Sequence, residues 1–275
     1  MNSQAFYKMT GSGNDFVMLD GRSTSAADWP AERIRAVCDR RIGVGADGLV
    51  ILTPGPDNRV RMDFWNCDGS RASMCGNAAL CSTRLSARLG LTPTDGMHLV
   101  TGAGTFPSRC LPGPPAERAE LQLPDFTLPE TVRSILLGPG ESNALLATVG
   151  VPHLVLLVEN LERPDLMARG RELRSDPALG PQGANTNFVG QRTPAQGGGW
   201  GLRTYERGVE GETLACGTGA VAAAVALAQL GQVTLPMNLV CRSGRILHIT
   251  ATLSAGKATN VLLAGEGILV FTGVL

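Results

Sequence analysis

"MCGNAALC", Met74 to Cys81, sets a cysteine, a glycine and an asparagine at the start of an alanine-rich stretch, and "ACGTGAVA", Ala215 to Ala222, does so again. Around Cys75 an apolar run, Val60 to Trp65, leads into a polar turn, then the cysteine, then a helical pattern over 77–89 ended by Gly90. Around Cys216 the order is Leu202 to Tyr205, a polar turn, Cys216-Gly217, an alanine-rich helix and Gly231. Each cysteine precedes its capping glycine by 15 positions and follows a large polar residue, Asn66 or Arg207, by nine. Upstream, Asn14-Asp15 opens FVMLD as Pro152-His153 opens LVLLVE. Gly45-Ala46-Asp47 precedes Gly48-Leu49-Val50 as Gly183-Ala184-Asn185 precedes Asn187-Phe188-Val189. Several correspondences in one order argue for an internal duplication, a strand-rich unit with one main helix used twice. The expected class is α+β. The turn-rich Pro112-Gly113-Pro114-Pro115 divides the chain into domains 1–116 and 117–264, with a last strand in 265–275 expected to return to the first. Pro194 to Gly199 reads as a loop tip.

Composition narrows the function. Across 275 residues, 24 basic and 24 acidic side chains cancel, and no run of like charge marks a nucleic-acid or anionic-membrane partner. The N-terminus lacks a basic region followed by an apolar core, and Ala215 to Leu227 is too short to span a bilayer. Seven widely spread cysteines without a CxxC pair suit a reducing cytoplasm better than a disulfide framework or a zinc site. The three histidines, His98, His153 and His248, are isolated, so no metal site is expected. Lys8 and Lys257 are the only lysines, and neither has the setting of a pyridoxal-phosphate Schiff base. No cofactor is expected. GVGADG, residues 43–48, matches a dinucleotide fingerprint, but a helix-like stretch (Ala31 to Arg41) precedes it and the strand-like LVIL follows. That reversed context makes it a tight glycine turn.

Most of the cysteines read as small buried hydrophobes: Cys38, Cys110 and Cys241, with Cys67 and Cys81 as core or wall positions. Cys81 follows Cys75 by six residues, about 240° around a helix after one full turn, so the two face different ways. Cys75 and Cys216 differ because each stands at a helix start. There, free backbone N–H groups and the helix dipole favour a thiolate, and the small residues that follow let a carboxylate approach. A pseudo-twofold duplication would bring the two helix starts together across a cleft. One sulfur as thiolate would then remove an α-proton while the other, as thiol, supplies one from the opposite face. Two thiolates would repel, so their titrations are coupled.

GSGNDF (11–16), RIGVGADGL (41–49), NCDGS (66–70), MCGNA (74–78), GANTNFV (183–189) and ERGVEGETLACGTG (206–219) together resemble, over essentially the full length, the diaminopimelate epimerase family of cofactor-independent amino-acid epimerases. The resemblance implies two similar domains, each a mixed β-barrel around a central helix, related by pseudo-twofold symmetry, and a homodimer. It implies Cys75 and Cys216 as the acid–base pair. Gly76, Asn77, Gly217 and Thr218 match the groups that bind the reacting carboxylate. Asn14, Asn66, Asn185 and Arg207 match residues that hold the substrate, chiefly its distal end. His153 and Glu206 match a pair that tunes the cysteines and contacts the reacting amino group. A guanidinium fork at Arg207 suits the second carboxylate of a diacid. The chain departs from the family at Leu80, usually arginine, at Val151, often asparagine, and at Gly48, glutamine in some relatives. Competing expectations are a racemase of another amino acid, such as histidine, on the same scaffold, and a thiol redox or amino-acid-binding module without turnover.

Overall fold

FVMLD and LVLLVE are apolar at nearly every position, the pattern of strands covered on both faces. The computed structural model, which describes residues 3–113 and 117–275, shows why in each of two compact units. One unit gathers the chain through Gln122 together with Ala264–Leu275; the other is Leu123–Leu263. Pro114 and Pro115 of the expected connection, and the boundary expected at residue 116, lie outside the described residues.

In the first unit β1 (Ala5–Gly11) and β2 (Asn14–Asp20) form an antiparallel hairpin, α1 (Ala31–Cys38) crosses over, and β3 (Gly48–Pro54) returns parallel to β2. β4 (Arg59–Asn66) and β5 (Arg71–Ala72) continue antiparallel, followed by α2 (Gly76–Arg88). β6 (Met97–Thr101) then runs parallel to β4, and β7 (Gly104–Leu111) and β8 (Arg118–Leu123) add on antiparallel. The second unit starts with two short strands, β9 (Phe126–Thr127) and β10 (Glu130–Thr131), and then repeats the plan. β11 (Glu141–Val149) and β12 (Val151–Val158) form the hairpin, α3 (Leu166–Arg174) crosses over, and β13 (Asn185–Gln191) is parallel to β12. β14 (Trp200–Glu206), β15 (Gly211–Thr213) and α4 (Gly217–Gln229) follow. β16 (Met237–Val240) is parallel to β14, and β17 (Ile246–Ser254) and β18 (Lys257–Glu266) complete the series. β19 (Ile268–Val274) lies antiparallel on β1. The α+β class expected from the sequence is borne out.

Each unit wraps its strands around one helix. α2 packs against β1–β4, β6, β7 and β19, and α4 against β11–β14, β16 and β17. A helix enclosed this way has no solvent face, so α4 is alanine, valine, glycine and leucine at almost every buried position. α2 achieves the same with hydroxyls turned back on its own backbone: Ser82 Oγ donates to the Ala78 carbonyl (2.7 Å) and Thr83 Oγ1 to the Ala79 carbonyl (2.9 Å). The opposite sheet faces are covered by α1 and α3. Val17, Leu19, Leu49 and Ile51 pack with Trp29 and Ile34, and Leu154, Leu156 and Phe188 with Leu166 and Leu173. Because strand side chains alternate, His153, Val155 and Leu157 point the other way, toward the central helix. Among the described residues no helix is long and apolar enough to cross a membrane.

Two local readings change. The helix expected over 31–41 ends at Cys38, because the Asp39 carboxylate accepts the backbone N–H groups of Arg41 (2.7 Å) and Ile42 (3.0 Å) and turns the chain. Cys67, expected as a core or wall position, is exposed: it rides the turn between β4 and β5, where Gly69 N–H closes onto the Asn66 carbonyl. The other expected core cysteines, Cys38, Cys81, Cys110 and Cys241, are buried.

Gly48 is tighter than its sequence suggests. A Cβ there would stand 2.5 Å from the Trp65 carbonyl oxygen and 2.6 Å from a Phe64 ring carbon. Glutamine therefore does not fit at this position without moving β4. Gly48→Gln is expected to cost about 1–3 kcal/mol through overpacking, read as a lower midpoint of thermal unfolding.

Candidate active site

Cys75 and Cys216 are the N-caps of α2 and α4, both in extended backbone conformation (φ −141° and −123°), and both helices are 13 residues long. Their carbonyls accept the first helical bonds, from Ala79 and Ala220 (2.9 Å each). Each sulfur thus sits beside first-turn N–H groups that have no acceptor inside the helix, where the dipole favours negative charge. Cys216 is buried and Cys75 half-buried. Gly76 and Gly217 are the first helical residues, and Asn77 and Thr218 follow them.

In the first unit the structure brings Asn14, Asn77 and Cys75 to one place. Asn77 Nδ2 donates to Asn14 Oδ1 (2.8 Å), and Asn14 Nδ2 donates to Asp47 Oδ2 (2.9 Å). Arg40 bridges Asp47 (2.7 Å) and Asp15 (2.6 Å), and Lys8 pairs with Asp15 at 2.6 Å and donates to the Gly45 carbonyl. Burial alone would raise the Asp15 pKa, but hydrogen bonds from Arg40 and Lys8 hold it below the usual carboxylate range. The GVGADG turn is therefore an ionic anchor for Asn14. Asn66 ends β4, opposite Gly48, with its amide on Ser70 Oγ (3.1 Å). Cys81 lies fully buried one turn and a half along α2, its thiol pKa pushed well up by burial and then by the neighbouring Cys75.

In the second unit Gly217 and Thr218 follow Cys216 at the helix start, His153 reaches Thr218, and Asn185 lies opposite His153 and holds Arg207, which follows Glu206. His153 is completely buried, Nε2 lying 3.0 Å from Thr218 Oγ1, and Thr218 Oγ1 is 3.8 Å from Cys216 Sγ. Burial, and secondly the Arg207 charge, push the His153 pKa down to about 3, so the ring is neutral near neutrality. Burial raises the Glu206 carboxyl, partly offset by a hydrogen bond with Thr213. Asn185 Oδ1 accepts the Arg207 backbone N–H (2.8 Å), and the guanidinium itself is held by two long contacts, 3.4 Å each, to Gln182. The strand register refines the duplication. Phe64 pairs with Ala72 and Thr204 with Thr213, each partner three residues before its cysteine, so Asn66 and Glu206 are the equivalent strand ends. Arg207 is one residue further, inside a longer turn.

Sequence reasoning missed Asn187. Its Nδ2 lies 3.2 Å from His153 Nδ1 and donates to the carbonyls of Leu154 (3.1 Å) and Asn185 (3.2 Å), while Oδ1 accepts from Thr204 Oγ1 (2.9 Å). The available signal was GANTNFV itself: alternate residues share a strand face, so a second amide two positions after Asn185 has to face the same helix. Among the described residues no group of three or more His, Cys, Asp or Glu side chains could hold a metal ion.

The neutral buried His153 makes stability depend on pH. Its folded pKa, about 3, lies below the ordinary 6.5, so the unfolded chain binds a proton that the native chain refuses. The stability is fully present above about pH 6.5 and is lost as pH falls toward 3. Between pH 7 and pH 5, wild type should lose more unfolding free energy than His153→Gln does in denaturant titrations. Parallel curves for the two proteins would contradict a buried neutral ring.

The diaminopimelate epimerase family profile matches residues 6–110 and 145–259. The chain is 43% identical over 282 aligned residues to the diaminopimelate epimerase of Gemmatimonas aurantiaca, with 98% of each chain covered. It is 35% identical to that of Aquifex aeolicus, covering 98% of this chain and 97% of the relative. Among solved structures, a phenazine biosynthesis protein of the PhzF family from Bacillus anthracis shares the fold, with TM-score 0.74 over 100% of this chain and 99% of the other at 13% identity. With its two cysteine-capped helices and this likeness along its whole length, the chain belongs to the diaminopimelate epimerase family.

Proposed function

We propose that the protein interconverts LL- and meso-2,6-diaminopimelate by α-proton transfer between Cys75 and Cys216, without pyridoxal phosphate. The observation that carries the reading is the duplicated one: a thiol at the N-cap of the enclosed helix in each unit. The substrate carboxylate at the reacting centre binds first-turn N–H groups beside Gly76, Asn77, Gly217 and Thr218. One thiolate takes the α-proton and becomes S–H, and the electron pair passes into the carboxylate. The other thiol then protonates the carbon from the opposite face and is left as thiolate, so the reverse reaction exchanges their roles. The reading requires one α-carbon to be within reach of both sulfurs. Arg207, with Asn14, Asn66 and Asn185, holds the distal end, and Glu206 and His153 attend the reacting amino group and the thiols. The protein works in the cytoplasm as a homodimer.

Incubation with LL-diaminopimelate in D2O under reducing conditions tests the reading. Deuterium should enter the α-position with formation of the meso isomer and without added cofactor. Absence of exchange with LL-diaminopimelate would sink it, and exchange with histidine instead would reassign the substrate.

A further inference from the structure

We infer that Asn187 is a positioning residue: it fixes His153 as the Nε2–H tautomer, and so turns the Thr218 hydroxyl hydrogen onto the Cys216 sulfur. The inference builds on the two-thiol reading for its catalytic consequence, but the hydrogen-bond logic stands by itself.

The orientation of the Asn187 amide is settled by its neighbours. Two backbone carbonyls, of Leu154 and Asn185, lie 3.1 and 3.2 Å from one end of the amide, and a carbonyl can only accept. That end is therefore the NH2 group, and Oδ1 faces the Thr204 hydroxyl at 2.9 Å. The same NH2 group stands 3.2 Å from His153 Nδ1. The two hydrogens of that group serve three acceptors, so one is shared between Nδ1 and a carbonyl. A proton on Nδ1 would set donor against donor there, so Nδ1 carries its lone pair and accepts the shared hydrogen. A neutral imidazole then has its hydrogen on Nε2, which donates to Thr218 Oγ1 at 3.0 Å. With its oxygen accepting from the ring, Thr218 directs its own hydrogen to Cys216 Sγ, 3.8 Å away. An O–H donated to sulfur favours the thiolate.

The arrangement is built into the packing. A Cβ at Gly219 would lie 2.3 Å from Asn187 Oδ1, so glycine in the first turn of α4 is what lets the amide approach the helix start. It is also particular to one sulfur. In the parallel pairings, His153 opposite Asn185 corresponds to Phe16 opposite Gly48, and Asn187 corresponds to Val50. The first unit therefore fills the equivalent places with a phenyl ring, a glycine and an aliphatic side chain. The duplication gives both sulfurs a helix start, and only Cys216 has this amide–imidazole–hydroxyl relay.

The test uses the full-length protein without turnover, so it is independent of whether diaminopimelate is the substrate. Long-range proton–nitrogen NMR of 15N-histidine protein, with His153→Gln identifying the resonances, should show His153 protonated at Nε2. Asn187→Asp replaces the donor by an acceptor of the same shape and should move the proton to Nδ1. Alkylation of Cys216 by iodoacetamide, followed by mass spectrometry in a Cys75→Ala background, should slow about tenfold in Asn187→Asp and in Thr218→Val, the loss of one hydrogen bond to a charged group. Thr218→Ser, which keeps the hydroxyl, should restore the rate. In Thr218→Val, adding Asn187→Asp should have no further effect. An Nδ1–H tautomer in the wild type, or an unchanged Cys216 rate in Thr218→Val, overturns the inference, and both readouts stand even where Asn187→Asp fails to fold.

Discussion

Cys75→Ala and Cys216→Ala should each lower the rate of LL-to-meso conversion on the order of 10³-fold, within the range that one positioned acid or base contributes. Inversion needs a proton removed on one face and delivered on the other, so a single remaining thiol can only return what it takes. Cys81→Ala is the informative comparison. Cys81 is fully buried in the wall between α2 and β1, and its thiol is held protonated by its burial. Its removal should cost about 1 kcal/mol of stability for the lost packing and leave most of the rate. Chiral chromatography of the two isomers over time, with thermal melts for each variant, checks all three. A loss in Cys81→Ala equal to that in the other two would refute the assignment of Cys75 as the working thiol of α2.

The duplication was legible because it leaves two kinds of mark in the sequence. Glycine marks the helix ends, and Gly90 and Gly231 do take positive φ (65° and 70°) just past α2 and α4. Doubly covered strands leave uninterrupted apolar runs, and these set β2 and β12. What was not legible depended on contacts between elements distant in sequence. Asn187 looks like any strand amide until His153, from the neighbouring strand, and Thr218, from the helix, are placed against it. The aspartate of GVGADG is likewise an ordinary turn residue until Asn14 arrives from 33 positions away to donate to it. Counting residues back from the cysteines also misled, pairing Asn66 with Arg207, because the turn after β14 is one residue longer than the turn after β4. Spacing measures chain length, whereas equivalence in a sheet is set by hydrogen-bond register.

Gly219→Ala should destabilise the second unit although it adds a single methyl group inside a helix. In an exposed helix the change would stabilise by about 1 kcal/mol, since glycine is the poorer helix former. Here the new Cβ would meet Asn187 Oδ1 at 2.3 Å and both Asn187 Cγ and Cys216 Sγ at 3.2 Å. Asn187 cannot give way cheaply, because its amide is held by Thr204, by two backbone carbonyls and by His153. Moving it leaves buried donors and acceptors unmatched, so the overpacking and polar costs together outweigh the propensity gain and leave a net loss of about 2 kcal/mol or more. Gly211→Ala is the control. A Cβ there meets nothing within 4 Å, so the same methyl group should change stability little. The measurement is the denaturation midpoint of both variants beside the alkylation rate of Cys216. If Gly219→Ala melts at or above the wild-type temperature, then β13 has room to move away from α4, and the close approach of Asn187 to the helix start is not a fixed feature of the fold.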